Sequence, residues 1–335
     1  TTKNVGLFEL SPFSKYEIKG ENAYQELQRL CTANIKNDIG KCTYTHMLNE
    51  GGGIETDLTV VCINKNHFRI ISSAAFRTHD KAHILKHLSK SVEFKDVTDD
   101  LICLGIFGPK SRELLSKITN ENLSNENLKF GCSRYVNFGT VKVWVQRLSY
   151  VGELGYELYI ESYNAKKIYD LIVVDGKDFG LTHCGAHTMD TMRMESGFLH
   201  WGHDISPEEN QYQAGLNFTI SYKKPFDFIG KKKLLKIKNQ KVDRRFVMLT
   251  LKENLPGKPL LLHEEPIYLE NEIIGKTTSG NYSFNYNKNL SFGYVKSDLS
   301  NEQLSMKNLY IEVEKQKYQA QLITKPLKES TFKNI

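Results

Sequence analysis

The sequence has 335 residues, of which 40% are hydrophobic and 25% are charged, and its formal net charge is +6 at pH 7. This size and composition predict a globular protein with a large core and two or three domains, and the apolar runs are far shorter than the ~20 residues that cross a bilayer, so no membrane segment is expected. Much of the positive charge lies in the lysine-rich stretch 222–241, which favours a solvated helix face over an anion site and carries no motif that would indicate a nucleic-acid partner.

The first two thirds of the chain predict a mixture of helices and strands. A strand-like segment at 8–19 and a helix at 21–32 precede a hairpin, in which strands at 44–48 and 58–63 flank Gly51-Gly52-Gly53. Further strands are predicted at 67–72, 92–97, 101–107, 134–137 and 141–148, with another opening at Tyr156-Glu157. Further helices are predicted at 76–88, 111–118, 165–174 and 185–197.

The pattern changes at residue 244. Short strands follow one another at turn-spaced intervals, with no helix predicted among them, at 244–251, 267–269, 273–277, 291–295, 310–313 and 318–324. Such spacing is typical of a small β-barrel or sandwich. The fold class is therefore predicted as α+β, with a mixed region at 1–240 and an all-β domain at 241–335.

Asp57 lies where the glycine turn of the hairpin meets its apolar second strand. A carboxylate at such a point is either satisfied by nearby backbone N–H groups or held at the mouth of a pocket, where its proton affinity can be tuned. The pattern alone favours the first interpretation, because aspartates beside turns are common for local hydrogen-bonding reasons.

The stretch SYVGELGYELYI (149–160) repeats this arrangement, with Tyr150 before a glycine turn and Glu157 at the start of the next strand. Two acidic residues at the starts of strands, with tyrosines beside them, could bind a flat, nitrogen-rich heterocycle. A carboxylate accepts hydrogen bonds from paired N–H groups of such a ring, and the tyrosine rings pack on the face of the heterocycle. An ion pair between Glu157 and Arg147 or Arg193 explains the pattern equally well.

Other catalytic and cofactor motifs are weak or absent in the sequence. Neither a Rossmann fingerprint nor a P-loop occurs, and His183, Cys184 and His187 lack a further ligand at recognised spacing, so no metal is expected. The six cysteines include no CxxC pair, which indicates free thiols in a reducing compartment. The composition fits a cytoplasmic protein, and a mitochondrial matrix protein would look similar.

Five stretches, in this order and spacing, resemble the aminomethyltransferase family, which comprises the glycine-cleavage T-protein and its tetrahydrofolate-dependent relatives. They are HMLNEGGGIETDLTV (46–60), SYVGELGYELYI (149–160), MDTMRMESGFLHWGHDI (189–205), DFIGK (227–231) and GKTTSGNYSFNYNKNLSFGYV (275–295). The resemblance covers nearly the whole chain, from about residue 6 to residue 326.

Two stretches narrow the resemblance. SPFSKYEIKG (11–20) and MRMESGFLHWG (192–202) are similar to the folate-binding C-terminal half of dimethylglycine and sarcosine dehydrogenases, in which a flavin domain precedes this region. Met189 stands where T-proteins hold an arginine, which favours the dehydrogenase-linked branch over glycine cleavage. The implied partner is therefore a flavin-dependent oxidase or dehydrogenase, either a separate protein or a missing N-terminal domain.

The resemblance implies a three-lobed ring around a central folate cavity, with the β-barrel as the last lobe. It implies that Asp57 is catalytic and that the tetrahydrofolate-binding residues are Tyr44, Thr59, Tyr150 and Glu157.

The implied function is the transfer of a methylene or methyl group from an N-methylated amine, of the dimethylglycine or sarcosine type, to tetrahydrofolate. One alternative on the same fold is direct methyl transfer from a sulfonium or quaternary ammonium donor, as in dimethylsulfoniopropionate demethylases. Another is a folate-binding module without enzymatic activity. The donor, the product and the oligomeric state stay open.

Overall fold

A computed structural model describes residues 1–329 and 331–334 of the chain. The first part contains β1 (Val5–Glu9), β2 (Ser14–Lys19), α1 (Ala23–Leu30), β3 (Cys42–Leu48), β4 (Ile54–Asn64), β5 (His67–Ser72), α2 (Arg77–His87), β6 (Glu93–Asp96), β7 (Leu101–Phe107), α3 (Ser111–Thr119), β8 (Ser133–Phe138), β9 (Val141–Gln146), β10 (Gly155–Glu161), α4 (Ala165–Gly176), β11 (Leu181–Cys184) and α5 (Ala186–Glu195). The second part contains α6 (Lys231–Lys238), β12 (Arg244–Leu251), β13 (Pro266–Leu269), β14 (Glu272–Ser283), β15 (Lys288–Lys296), α7 (Asn301–Met306), β16 (Leu309–Val313) and β17 (Gln316–Ile323).

Two interleaved sheets form the first two lobes. The first lobe is built on a six-stranded sheet in the order β11-β1-β7-β10-β9-β8, and the second on a five-stranded sheet in the order β3-β4-β5-β2-β6. The chain enters the first lobe with β1, builds the whole second lobe, and then returns with β7, which pairs antiparallel with β1. The first sheet is therefore made from two separate segments of the chain, and the second lobe is inserted between them.

The third lobe is a closed six-stranded barrel in the order β12-β15-β14-β13-β16-β17. The α+β class and the C-terminal barrel are therefore confirmed. One feature of the prediction is wrong, because helix α7 lies between β15 and β16. Its start carries a capping box, in which the Ser300 hydroxyl accepts from the Gln303 N–H and the Gln303 side chain accepts from the Ser300 N–H.

Separate apolar clusters join the three lobes. Phe8, Val61 and Trp144 belong to a cluster between the two sheets, and Met194 packs with Phe292 against the barrel. Burial of apolar surface is the main favourable term in folding, so these clusters hold the lobes in a fixed relation around the space between them. The predicted division at residue 240 falls between α6 and β12 and stays a prediction. Within the described residues, no helix combines the length and apolar character needed to cross a membrane.

Candidate active site

A cavity of about 1350 Å³ lies where the three lobes meet. All five residues predicted for the site line it: Tyr44, Asp57, Thr59, Tyr150 and Glu157. The barrel also contributes to the wall, through residues of β12 and β14, and so does helix α5. The volume exceeds the roughly 300–1,000 Å³ of an ordinary small-molecule site, so the cavity is large enough for a drug-sized ligand.

The hairpin of β3 and β4 presents four polar side chains on one face. In the antiparallel register, Tyr44 lies opposite Thr59 and His46 lies opposite Asp57, and residues two apart on a strand share a face. The turn must be glycine at two points: Gly52 has φ +82°, and a Cβ on Gly53 would lie 2.0 Å from the carbonyl oxygen of Pro207. The hairpin is thereby pressed against the segment after α5.

Asp57 is a half-buried carboxylate, and one of its two oxygens is buried without a hydrogen bond to any described residue. Its Oδ1 has no hydrogen-bond partner among the described residues, and the Nε2 atom of His46 lies 3.6 Å from it. Burial raises the pKa of Asp57 to about 7, against a lowering contribution from the Tyr44 hydroxyl and with a further raising contribution from Asp80. A carboxyl group poised near neutrality can take or give a proton at physiological pH.

Glu157 is the second carboxylate of the cavity, on strand β10 of the first lobe. Its Oε2 accepts a hydrogen bond of 2.8 Å from the hydroxyl of Tyr159. Burial raises the pKa of Glu157 to about 7, although the Tyr159 hydrogen bond lowers it. The ion-pair interpretation receives no support from Arg193, whose described ion pairs go to Asp190 and Asp204.

Tyr150 offers its ring to the cavity, since its hydroxyl is already engaged. The hydroxyl donates to the carbonyl of Leu199 at 2.7 Å, and the ring stacks with Phe198 at a centroid distance of 6.0 Å. Gly152 follows with φ +68°, and a Cβ there would lie 2.0 Å from the Ser196 hydroxyl. The glycine turn thus packs directly on the end of helix α5.

Arg193 and Asp204 form a second polar centre beside the cavity, which we call the Arg193–Asp204 cluster. Arg193 donates to Asp204 Oδ2 at 2.6 Å, to Asp190 Oδ1 at 2.8 Å and to the Ser279 hydroxyl at 2.8 Å. Asp204 Oδ1 accepts from the hydroxyls of Thr278 and Ser279. The cluster therefore ties α5 and the segment after it to strand β14 of the barrel.

The remaining sequence candidates lie elsewhere. His183 belongs to β11, which pairs in parallel with β1, and its Nε2 lies 2.8 Å from the Tyr169 hydroxyl. Among the residues that the structure describes, no three His, Cys, Asp or Glu side chains are placed to hold a metal. The lysines of 223–241 are not part of the cavity wall. Lys224 is instead buried and donates to the backbone carbonyls of Gln28, Cys31 and Ala33.

Two residues of the site were not singled out from the sequence. His46 and Tyr159 each lie two positions from a predicted site residue on the same strand, Tyr44 and Glu157 respectively. The period of two along a strand places each on the same face as that neighbour. Strand periodicity is therefore the signal that could have identified both.

Residues 1–224 match the GCVT N-terminal domain, and residues 244–328 match the glycine cleavage T-protein C-terminal barrel domain. The chain is 37% identical over 298 residues to the 4-methylaminobutanoate oxidase (formaldehyde-forming) of Paenarthrobacter nicotinovorans, covering 88% of this chain and 36% of that protein. It is 34% identical over 328 residues to the mitochondrial dimethylglycine dehydrogenase of Rattus norvegicus, covering 97% of this chain and 38% of that protein. The chain thus spans somewhat more than a third of the length of these relatives.

The fold also matches a solved structure. The aminomethyltransferase T of the glycine cleavage system from Bartonella henselae superposes with a TM-score of 0.86 at 21% sequence identity, covering 98% of this chain and 87% of that one. At this identity the match concerns the fold, and it extends over all three lobes.

Proposed function

Since this chain belongs to the aminomethyltransferase (glycine-cleavage T-protein) family of tetrahydrofolate-dependent transferases, we propose that it transfers a one-carbon unit from an N-methylated amine to tetrahydrofolate. The observation that carries the proposal is the pair of cavity carboxylates. Asp57 and Glu157 come from different lobes, line one cavity, and both have a pKa of about 7.

The cavity residues fit a folate ring system. Glu157 offers a carboxylate to ring N–H groups, and its orientation is set by the hydrogen bond from Tyr159. The Tyr150 ring, whose hydroxyl is used elsewhere, supplies a flat packing surface. Tyr44 and Thr59 form the wall next to Asp57. These residue types meet the needs of a planar heterocycle rich in hydrogen-bond donors.

Tetrahydrofolate, when bound, would supply the nucleophilic ring nitrogen that accepts the one-carbon unit. The Asp57 carboxylate would accept the proton released in the transfer, which a carboxyl group with a pKa of about 7 can do at neutral pH. The ionised carboxylate would also stabilise positive charge in the transition state. Apolar wall residues such as Leu58 and Ile71 would keep water from the reacting carbon.

The proposal for the one-carbon donor and for the partner protein is based on the relatives named above. The P. nicotinovorans and R. norvegicus proteins carry names of enzymes that act on N-methylated amines. We therefore propose dimethylglycine, sarcosine or a similar N-methylated amine as the donor, oxidised by a flavin-dependent partner or domain. Exposed apolar side chains at the cavity wall, among them Phe218 at 74% and Phe284 at 71%, provide a surface that such a partner could cover.

Calorimetric titration with tetrahydrofolate tests the site. We expect the wild-type chain to bind, and Glu157→Gln to bind about 10 to 100 times more weakly, because a hydrogen bond to a charged group contributes about 1.5–3 kcal/mol. Glu161→Gln, an exposed residue on the same strand, is the matched control and should bind as wild type. No binding by wild type, or equal binding by Glu157→Gln, would contradict the proposed site.

A product assay then separates the donors. Dimethylglycine or sarcosine together with an oxidising flavoprotein should give 5,10-methylenetetrahydrofolate only when this chain is present. Formation of 5-methyltetrahydrofolate from an unoxidised sulfonium or quaternary ammonium donor would overturn the proposed donor class and support direct methyl transfer.

A further inference from the structure

We propose that the rings of His200, His203 and His263 form a carboxylate-binding subsite in the cavity wall, which we call the histidine subsite. A carboxylate is carried both by an amino-acid donor such as sarcosine and by the glutamate tail of tetrahydrofolate. The inference rests on the proposed function, because it names the group of the substrate that this part of the wall holds. It can nevertheless be tested on the free protein, without any one-carbon transfer.

Two separate parts of the chain bring the three rings together. His200 and His203 lie in the segment that follows α5, and His263 lies in the loop between β12 and β13 of the barrel. All three residues are exposed and line the cavity. The centroid of the His203 ring is 4.7 Å from that of His200 and 6.0 Å from that of His263. The rings therefore form a continuous row from the end of α5 to the barrel.

The ring nitrogens of the histidine subsite are not used by the protein itself. Among the described residues, His200 and His203 form hydrogen bonds only through backbone atoms, and the His263 ring forms none. In contrast, ring nitrogens of His46 and His183 lie 3.1 Å and 2.8 Å from hydroxyl oxygens of the protein. A neutral imidazole carries one N–H donor and an imidazolium carries two. The histidine subsite therefore presents its donors to the cavity.

The carboxylates of the protein in this region already have partners. Asp190, which also lines the cavity, accepts from Arg193 at 2.8 Å with one oxygen and from Asn281 at 2.9 Å with the other. Both oxygens of Asp204 accept hydrogen bonds within the Arg193–Asp204 cluster. These acids therefore do not compete for the imidazole N–H groups, which stay available to a carboxylate that enters the cavity.

The arrangement favours a carboxylate over a metal ion. No three His, Cys, Asp or Glu side chains in the described part of the chain are placed to hold a metal. An ionised carboxylate accepts hydrogen bonds more strongly than a neutral group does, and a protonated imidazole adds an opposite charge. Asp57 and Glu157 lie on β4 and β10, so the histidine subsite occupies a part of the wall that neither of them supplies. A substrate bound there by its carboxylate is restricted in how it can lie in the cavity.

The test is NMR of the histidine ring signals during titration of the free wild-type chain with small carboxylates. Sarcosine represents the donor, and p-aminobenzoylglutamate represents the tail of tetrahydrofolate. We expect at least one of them to shift the signals of His203 and His263, and the one that does so identifies the source of the carboxylate. N-methylethylamine, which has the amine of sarcosine without its carboxylate, should leave these signals unchanged. No shift with either carboxylate, or an equal shift with N-methylethylamine, would overturn the subsite.

His203→Gln and His263→Gln supply the second arm, since both residues are exposed and their replacement leaves the core intact. Each variant should bind the carboxylate about tenfold more weakly, because it loses a hydrogen bond to a charged group. His183→Gln, at an exposed position outside the cavity wall, is the matched control and should bind as wild type. Unchanged affinity in both cavity variants would overturn the subsite. Absence of one-carbon transfer, with the ring shifts retained, would count against the proposed function alone.

Discussion

The cavity carboxylates and the Arg193–Asp204 cluster use the same residue type in opposite ways. Asp204 accepts from Arg193, from the His200 backbone N–H and from two barrel hydroxyls. Asp57, in contrast, has an oxygen without a hydrogen-bond partner among the described residues. A carboxylate with all its positions filled by the protein holds elements together, whereas one with an open position is free for chemistry.

This difference has an energetic consequence. A buried charge that loses its partner is strongly destabilising, because desolvation is no longer offset. Substitutions in the Arg193–Asp204 cluster should therefore lower the free energy of unfolding. Replacement of Asp57 by a neutral residue should raise it, because the folded state then no longer buries that charge. Substitution in the cluster is therefore expected to lower the stability of the protein, whereas substitution of Asp57 is expected to raise the stability and lower the activity.

The largest effect on stability is expected from Asp204→Asn. The substitution places an amide N–H₂ against donors and removes one of the two carboxylates that pair with the buried Arg193 guanidinium, at a cost of about 3–5 kcal/mol in the free energy of unfolding. Urea denaturation measures it. Asp170→Asn, which removes an exposed partner of Lys166, should change the free energy by less than about 1 kcal/mol. Equal losses of stability in Asp204→Asn and Asp170→Asn would contradict the structural role assigned to the Arg193–Asp204 cluster.

Asp57→Asn is expected to stabilise the protein by about 4 kcal/mol above pH 7. The folded pKa of about 7 lies above the ordinary value of 3.8, so between these values the folded state holds a proton that the unfolded state has lost. Wild type therefore loses stability, relative to the variant, as pH rises from about 4 to 7, and the difference is constant above that range. Denaturation curves across this range measure it, and a pH-independent difference would contradict it.

Lys224→Met extends the comparison to a buried cation. The ammonium donates to three backbone carbonyls in the last turn of helix α1 and just after it. The thioether cannot replace these hydrogen bonds, so the free energy of unfolding should fall by about 2 kcal/mol. Lys223→Met, at the exposed neighbouring position, is the control and should have little effect. If the two variants unfolded alike, the buried lysine would have no special structural role.

Tyr159→Phe should have the smallest effect. It removes the hydrogen bond that orients Glu157 while the carboxylate remains, so the affinity for tetrahydrofolate should fall by about fivefold, or about 1 kcal/mol. Calorimetry detects this change. A loss as large as that of Glu157→Gln would mean that Tyr159 contacts the ligand itself.

Much of the fold was predictable from local patterns. Strands such as β5 and β7 have the predicted bounds, because period-two runs bounded by turn residues indicate strands directly. β11 was missed, since its four residues form a strand only by pairing in parallel with β1, far away in the sequence. Helix α7 was missed although the Ser300 and Gln303 spacing of a capping box was present.

The site was predictable only in part. The glycine turns marked Asp57 and Glu157 as candidates, but these residues lie in different sheets, and no local pattern tells which sheets face a common cavity. The pattern suggested that the two acids bind one heterocycle, and the resemblance to the family assigned their separate roles. His46 contacts Thr219, which is 173 positions away, so this contact could not be predicted from the strand that carries His46.

The most direct test of Asp57 as the base is the pH dependence of one-carbon transfer to tetrahydrofolate by wild type and Asp57→Asn. The wild-type rate should rise through a midpoint near pH 7, where Asp57 ionises, and the variant should be about 10³-fold slower without that midpoint. A variant that keeps the wild-type rate, or that keeps the same pH profile, would contradict the role assigned to Asp57.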